Sequence, residues 1–280
     1  LMNETASLPA DILNRKGANK AADIPQNVLE LLNQGFIESV NLTEWLAVDH
    51  RALLSIVLNT SGLSHEAEVM LPALNKLKED KPMKMIPAIA AQWNRLLSEL
   101  PETGRGQLFA MLASHRSDSV RCWAAYIVGV TPDMDIAGIL QHIRPFAADS
   151  HFGVREIAWM AVRAHISANL EAAITLLANW VRDEDANIRR FAVESTRPQG
   201  VWAKHIQALK ENPAQGLPLL EPLRSEPVKY VQDSVANWLN DASKSQPDWV
   251  LQLCSDWLEA SDTKETKRIT ERAQRTLTRK

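Results

Sequence analysis

Glycine is scarce, ten residues in 280, and valine, isoleucine and tyrosine form no alternating runs. A sheet-based fold has nothing to build on here. Cysteine is nearly absent: Cys122 and Cys254 stand far apart, each inside an apolar helical pattern. That excludes a disulfide framework and fits a reducing compartment, with both read as buried thiols. The first thirty residues carry Asp11, Arg15, Lys16, Lys20 and Asp23 and no apolar core, so no signal peptide is expected. No apolar stretch is long enough to span a bilayer, and a cytoplasmic protein is expected. Net charge is only −3, too little positive charge for binding a polyanion by bulk electrostatics. The seven histidines lie singly, without zinc-ligand spacing, and no metal or cofactor is expected. Gly104-Arg105-Gly106 is isolated and makes no phosphate loop, and there is no G-x-S-x-G nucleophile turn.

What remains is helix-forming: alanine, leucine, glutamate, glutamine, lysine and arginine dominate, with 45% hydrophobic residues, enough for a substantial core. The expected fold class is all-α. Residues 1–22 are polar and aperiodic and read as an N-terminal arm. Residues 23–115 read as helices, among them 41–58, 64–79, 82–100 and 103–114, separated by Gly, Pro and Asp/Ser clusters. Residues 263–280 read as a basic solvated helix or tail, with a phosphate-contacting arm as the lesser alternative; seven basic and two acidic side chains follow from Lys264 onward.

Residues 116–262 hold an internal repeat. Asp118-Ser-Val-Arg-Cys-Trp-Ala-Ala, Phe152-Gly-Val-Arg-Glu-Ile-Ala-Trp and Ala186-Asn-Ile-Arg-Arg-Phe-Ala-Val align, with Lys229-Tyr-Val-Gln-Asp-Ser-Val-Ala as a degenerate fourth copy. The aligned apolar positions Val120, Val154, Ile188 and Val231 are 34, 34 and 43 residues apart. A Pro/Gly-rich insert over 197–227 lengthens the last step. Amphipathic segments 135–148, 168–182 and 248–260 lie between or after the copies. Helix, turn, helix at this period predicts an α-solenoid of stacked repeats forming one curved domain, and Val-Arg-x-x-Ala is a HEAT-like signature.

Taking the aligned apolar residue as zero, positions 0, +3, +4 and +7 share one face, as Val154, Ile157, Ala158 and Ala161 do. Positions +2, +6 and +9 share the opposite face. They are Glu156, Met160 and Arg163, then Arg190, Glu194 and Arg197, then Asp233, Asn237 and Asn240. In a solenoid this stripe is expected on the inner, partner-binding surface. Read alone it is also compatible with an ordinary solvated face in which Arg190 and Glu194 pair at i,i+4. Trp45, Trp123, Trp180 and Trp238 fall on apolar faces; Trp159 and Trp202 flank the polar stripe.

Three runs are more specific: His151 to Trp159, Asn187 to Pro198, and Tyr230-Val-Gln-Asp-Ser-Val-Ala-Asn-Trp-Leu-Asn-Asp241 continuing to Trp249. Over roughly residues 115–260 the chain resembles the AlkC branch of the HEAT-like alkylbase DNA glycosylases and, more distantly, the AlkD branch. The resemblance implies a monofunctional enzyme that removes cationic bases such as 3-methyladenine or 3-methylcytosine from duplex DNA. It would act as a monomer, without cofactor, metal or membrane, at the bacterial nucleoid during repair. It implies Glu156 as the catalytic carboxylate and Arg190 as the clamp on the DNA backbone. Phe152 stands where the family has a tryptophan, and Asn237 where the AlkD branch has a second aromatic. Phe152, Trp159, Asp233, Asn237, Asn240 and Asp241 are then lesion-proximal candidates. Arg163, Arg197, Arg155, Lys229 and Trp202 are backbone candidates. Arg155 and Arg189, at position +1, are equally readable as structural arginines of the repeat. The alternatives are a catalytically silent module binding bent or branched DNA, and a protein-binding scaffold.

Overall fold

A computed structural model describes residues 8–279 of the chain; residues 1–7 of the expected N-terminal arm lie outside them. Among the described residues there are helices and no strand. In chain order the helices are α1 (Ala10–Leu13), α2 (Gln26–Asn33), α3 (Leu42–Ala47), α4 (His50–Thr60), α5 (Ala67–Leu74), α6 (Pro82–Glu99), α7 (Glu102–Ala113) and α8 (Asp118–Val130). Then come α9 (Ile136–Ala147), α10 (Phe152–Ala168), α11 (Leu170–Trp180), α12 (Ala186–Glu194), α13 (Gln207–Glu211) and α14 (Leu217–Leu220). The last four are α15 (Lys229–Ser243), α16 (Pro247–Ala260), α17 (Lys264–Ala273) and α18 (Arg275–Thr278). The chain divides into two compact units, Leu1–Val130 and Thr131–Lys280.

In the first unit the described part of the N-terminal arm is tied down. Arg15 grips both carboxylate oxygens of buried Glu44, at 2.9 and 2.8 Å, and donates to the carbonyls of Ile12 and Glu38. Gly17 has φ +78, and a Cβ there would sit 2.5 Å from the Asn41 side chain, which caps α3 and holds the Ala18 carbonyl. The helix expected over 41–58 is two helices, because Asp49 caps a fresh start by accepting from the backbone N–H groups of Arg51 and Ala52. The core is a stripe on α6, Met85, Ile86, Ile89, Ala90, Trp93, Leu96 and Leu97, buried with Val120, Trp123 and Ile127 of α8.

In the second unit the repeat has a fixed turn chemistry, which the first copy shares locally. The side chain at position −5 accepts from the backbone N–H at −3. The acceptors are His115 Nδ1 at 3.0 Å, Asp149 at 2.8 Å, Asp183 at 2.8 Å and Glu226 at 3.1 Å. The side chain at +1 reaches back to the −5 carbonyl: Arg121, Arg155, Arg189 and Gln232, at 2.8, 2.7, 2.9 and 2.7 Å. Each copy thus satisfies a donor and a carbonyl that the turn would otherwise strand. The +1 arginines are structural on this geometry: Arg189 also forks onto buried Glu226, and Arg155 donates to the Tyr230 hydroxyl.

The insert after α12 is folded. Trp238 of α15 is buried and donates to Thr196 Oγ1 at 3.2 Å, and Gly216 packs so close that a Cβ would lie 2.4 Å from its indole. The C-terminal segment departs from the solvated reading: α17 buries Thr266, Ile269, Thr270 and Ala273, and Asn240 of α15 donates to the Ala273 carbonyl. Threonines fill much of that stripe, which is why it is invisible to an apolar count. Cys122 and Cys254 are both free and buried, and burial pushes the Cys254 thiol up to about 11.

His50 is buried, with Trp123 Nε1 donating to its Nδ1 at 3.0 Å, and burial lowers its pKa to about 4 despite the opposing pull of Asp49. The folded state therefore favours neutral imidazole. Its contribution, about 3 kcal/mol, is complete above pH 6.5 and is lost as pH falls from there towards 4. Urea unfolding across that window is expected to show this slope, and His50→Leu is expected to flatten it; an unchanged slope in the variant contradicts the assignment.

Candidate functional site

The site is built on α10, α12 and α15. His151 caps α10 by accepting from the Gly153 N–H, and this start places Glu156 on the polar face. One oxygen of Glu156 accepts from Trp159 Nε1 at 2.8 Å; the other lies 2.7 Å from Arg190 Nη2 on α12. The Glu156 side chain keeps 31% of its surface exposed, against 13% for Arg190. Arg190 stacks over the Tyr230 ring at 4.3 Å, and Arg155 lies over the same ring at 5.3 Å. A carboxylate held at both oxygens and still reached by solvent is fixed in direction and open to a ligand.

Behind it runs an ion-pair ladder into the interior. Arg190 lies 3.9 Å from Glu194; Glu194 accepts from Arg197 at 3.0 Å and from Ser234 at 2.5 Å; Arg197 forks onto Asp241 at 2.9 and 3.2 Å. Burial penalises the Glu194 charge, but Arg190, Arg197 and Ser234 outweigh it and hold the carboxyl below its usual range. Burial likewise opposes the charge on Arg190, and Glu194 and Glu156 more than offset it. Burial, reinforced by the neighbouring Arg197 cation, lowers Arg163 to about 10.

Several expected site residues are elsewhere. Arg163 is buried and spends its guanidinium on the carbonyls of Ser195, Arg197 and Lys204, so it is not a phosphate contact. Arg197 is interior, paired as above. Asp241 is its partner, and Asn240 holds α17, so neither faces a ligand. At position +9 the insert meets Arg163, Asp241 of α15 holds Arg197, and α17 meets Asn240. Trp159 is buried and serves Glu156 from within. Asp233 is engaged by Arg268 at 2.7 Å and Arg272 at 3.3 Å, and Asn237 by Arg275 at 2.8 Å. Phe152 is half-buried and stacked on His151 at 4.6 Å. Arg155 is half-buried against Tyr230. Lys229 is exposed at the start of α15. Trp202 is 80% exposed. The structure thus joins Glu156, Trp159 and Arg190. Sequence reasoning missed Tyr230, whose signal was its place next to an aligned apolar position, and it did not bring Arg268, Arg272 and Arg275 of the basic tail to Asp233 and Asn237. Among the described residues no cluster of His, Cys, Asp and Glu could hold a metal ion, and no helix is long and apolar enough to cross a membrane.

Fold and site define a helical-repeat protein that presents one pinned carboxylate beside an arginine stacked on tyrosine. The sequence model of the DNA alkylation repair enzymes matches residues 111–274, and the chain belongs to that family. An uncharacterised protein of Bacillus subtilis strain 168, YhaZ, is 39% identical over 97 residues, 35% of this chain and 27% of that protein, so the match spans about a quarter of the relative's length. Among solved structures the chain is similar to the alkylpurine DNA glycosylase AlkC of Pseudomonas fluorescens, bound to DNA containing an abasic site analogue. That likeness has 23% identity and a TM-score of 0.61, over 76% of this chain and 57% of the other. AlkD2 of Streptococcus mutans is similar at 20% identity and a TM-score of 0.56, over 74% of this chain and 96% of that one. These likenesses show the shared helical-repeat fold.

Arg197→Ala leaves buried Asp241 without its bidentate partner and leaves buried Glu194 with Arg190 as its remaining cation. It is expected to destabilise the chain by about 3–5 kcal/mol. Urea unfolding checks this, and a loss below about 1 kcal/mol, the scale of a surface pair, contradicts the ladder's structural role.

Proposed function

We propose that this chain is a monofunctional DNA glycosylase that hydrolyses the N-glycosidic bond of cationic alkylated bases, of the 3-methyladenine and 3-methylcytosine type, in duplex DNA. The observation that carries the reading is Glu156, half-exposed and fixed by Trp159 and Arg190. Alkylation at a ring nitrogen makes the base a cationic leaving group. When the C1′–N bond breaks, its electron pair leaves with the base and neutralises it, and positive charge develops on the sugar. A preorganised carboxylate beside C1′ stabilises that charge. Water then adds to C1′ and releases a proton, for which Glu156 is the available acceptor.

Arg190 is the proposed backbone clamp. In the free protein it is shared between Glu156 and Glu194, so an arriving phosphate competes for a cation that is already oriented. Lys229 and the α17 arginines Arg268 and Arg272 are candidates for the remaining phosphate contacts, in place of Arg163 and Arg197.

The same Glu156–Arg190 pair favours a second reading, a module that binds damaged or bent DNA without chemistry, because the cation offsets the carboxylate charge at the site. Base release separates the two. Glu156→Gln keeps the size of the side chain and is expected to preserve the melting temperature. It is expected to lower 3-methyladenine release from methylated duplex by about 10²–10³-fold. Release at the unaltered rate by the variant refutes the assigned role, and no release by the unaltered chain supports the binding module.

A further inference from the structure

The insert after α12 carries a tryptophan that the packing does not use. Trp202 is 80% exposed, whereas Trp159, Trp180 and Trp238 of the same unit are buried. Its φ is +65, in the left-handed region that bulky side chains avoid; Asp133 is the other described non-glycine residue there. Such a conformation persists where the surroundings over-determine it, and sites of binding are where it recurs.

Here hydrogen bonds tie the loop at its base from both sides. The buried Arg163 guanidinium donates to the Ser195 and Arg197 carbonyls on one side of the loop and to the Lys204 carbonyl on the other. The Ile206 N–H closes the loop on the Pro198 carbonyl at 3.0 Å. Gly200 lies against the guanidinium, where a Cβ would come within 3.4 Å of Cζ. The base of the loop is therefore riveted, and Trp202 stands in the turn beyond it with exposed Lys204 and His205 following. The rivet also sets the location: Arg163 and Glu156 are seven residues apart on one line of α10, about 10 Å along the helix axis.

We propose that Trp202 is a base-stacking wedge, whose indole takes the face of a nucleobase left unstacked at the damaged position. This rests on the DNA-repair reading above. An indole offers a flat π-surface to any base regardless of sequence, so it reports disrupted stacking rather than base identity. Mounted on a rigid loop, it needs no ordering on binding. Being uncharged, it releases no counterions, so its share of the affinity is independent of salt, unlike that of the lysines and arginines.

The test measures binding of the full chain, Trp202→Ala and Trp202→Phe to two duplexes by fluorescence anisotropy at two salt concentrations. One duplex carries an abasic-site analogue that leaves the opposite base unstacked; the other is intact. Trp202→Ala is expected to bind the abasic duplex about tenfold more weakly. Its affinity for intact duplex is expected to change less than about twofold, with the salt slope preserved and an unaltered melting curve. Trp202→Phe is expected to retain most of the affinity. Equal binding of the abasic duplex by Trp202→Ala and the unaltered chain overturns the wedge and leaves the DNA reading intact, as does an equal loss on both duplexes. An unaltered chain that binds neither duplex overturns the DNA reading and the wedge with it.

Discussion

Arg190 is the point on which this structure turns. One guanidinium lies 2.7 Å from half-exposed Glu156, 3.9 Å from buried Glu194 and face-on to Tyr230. Glu194 commits Arg197, and Arg197 commits Asp241, so the geometry at the surface is fixed by charges that have nowhere else to go. Burying unpaired ions is costly enough that the ladder has few alternative arrangements. A carboxylate aimed by such a frame loses little freedom when a ligand arrives, which electrostatic stabilisation of a transition state requires. The indole of Trp159 adds a second, uncharged restraint from inside the core.

The frame depends on a repeat whose turns are chemically alike. In each copy the −5 side chain caps the −3 N–H and the +1 side chain returns to the −5 carbonyl, although the residues vary from histidine to aspartate to glutamate and from arginine to glutamine. The constraint selects a hydrogen-bonding group of the right reach rather than one residue type. The helix starts are thereby set, and with them the rotation that turns Glu156 and Arg190 toward each other across α10 and α12.

Much of this was legible in the sequence. The 34-residue spacing and the three-and-four periodicity locate the repeat helices, and the helical wheel puts Glu156 and Arg190 on one face. What the wheel lacks is knowledge of which distant segments fold over that face. Arg163, Arg197 and Asn240 share position +9 and all three are buried: the insert meets Arg163, Asp241 of α15 holds Arg197, and α17 meets Asn240. Asp233 and Asn237 are on the expected face but are met by arginines from a tail whose own burial runs through threonines. The break between α3 and α4 was missed because Asp49 reads as one more polar residue in a helical pattern; its role as a cap appears only once the backbone turns. Two of the expected backbone-contacting arginines are lost from the surface in this way: Arg163 binds interior carbonyls and Arg197 neutralises interior carboxylates.

The most direct measurement of the central claim is chemical. Dimethylsulfate-treated duplex is incubated with the full chain, the released bases are identified by mass spectrometry, and abasic sites in the duplex are counted. Free 3-methylated base appearing in step with abasic sites is the expected result; DNA that is bound but yields neither contradicts the enzymatic account.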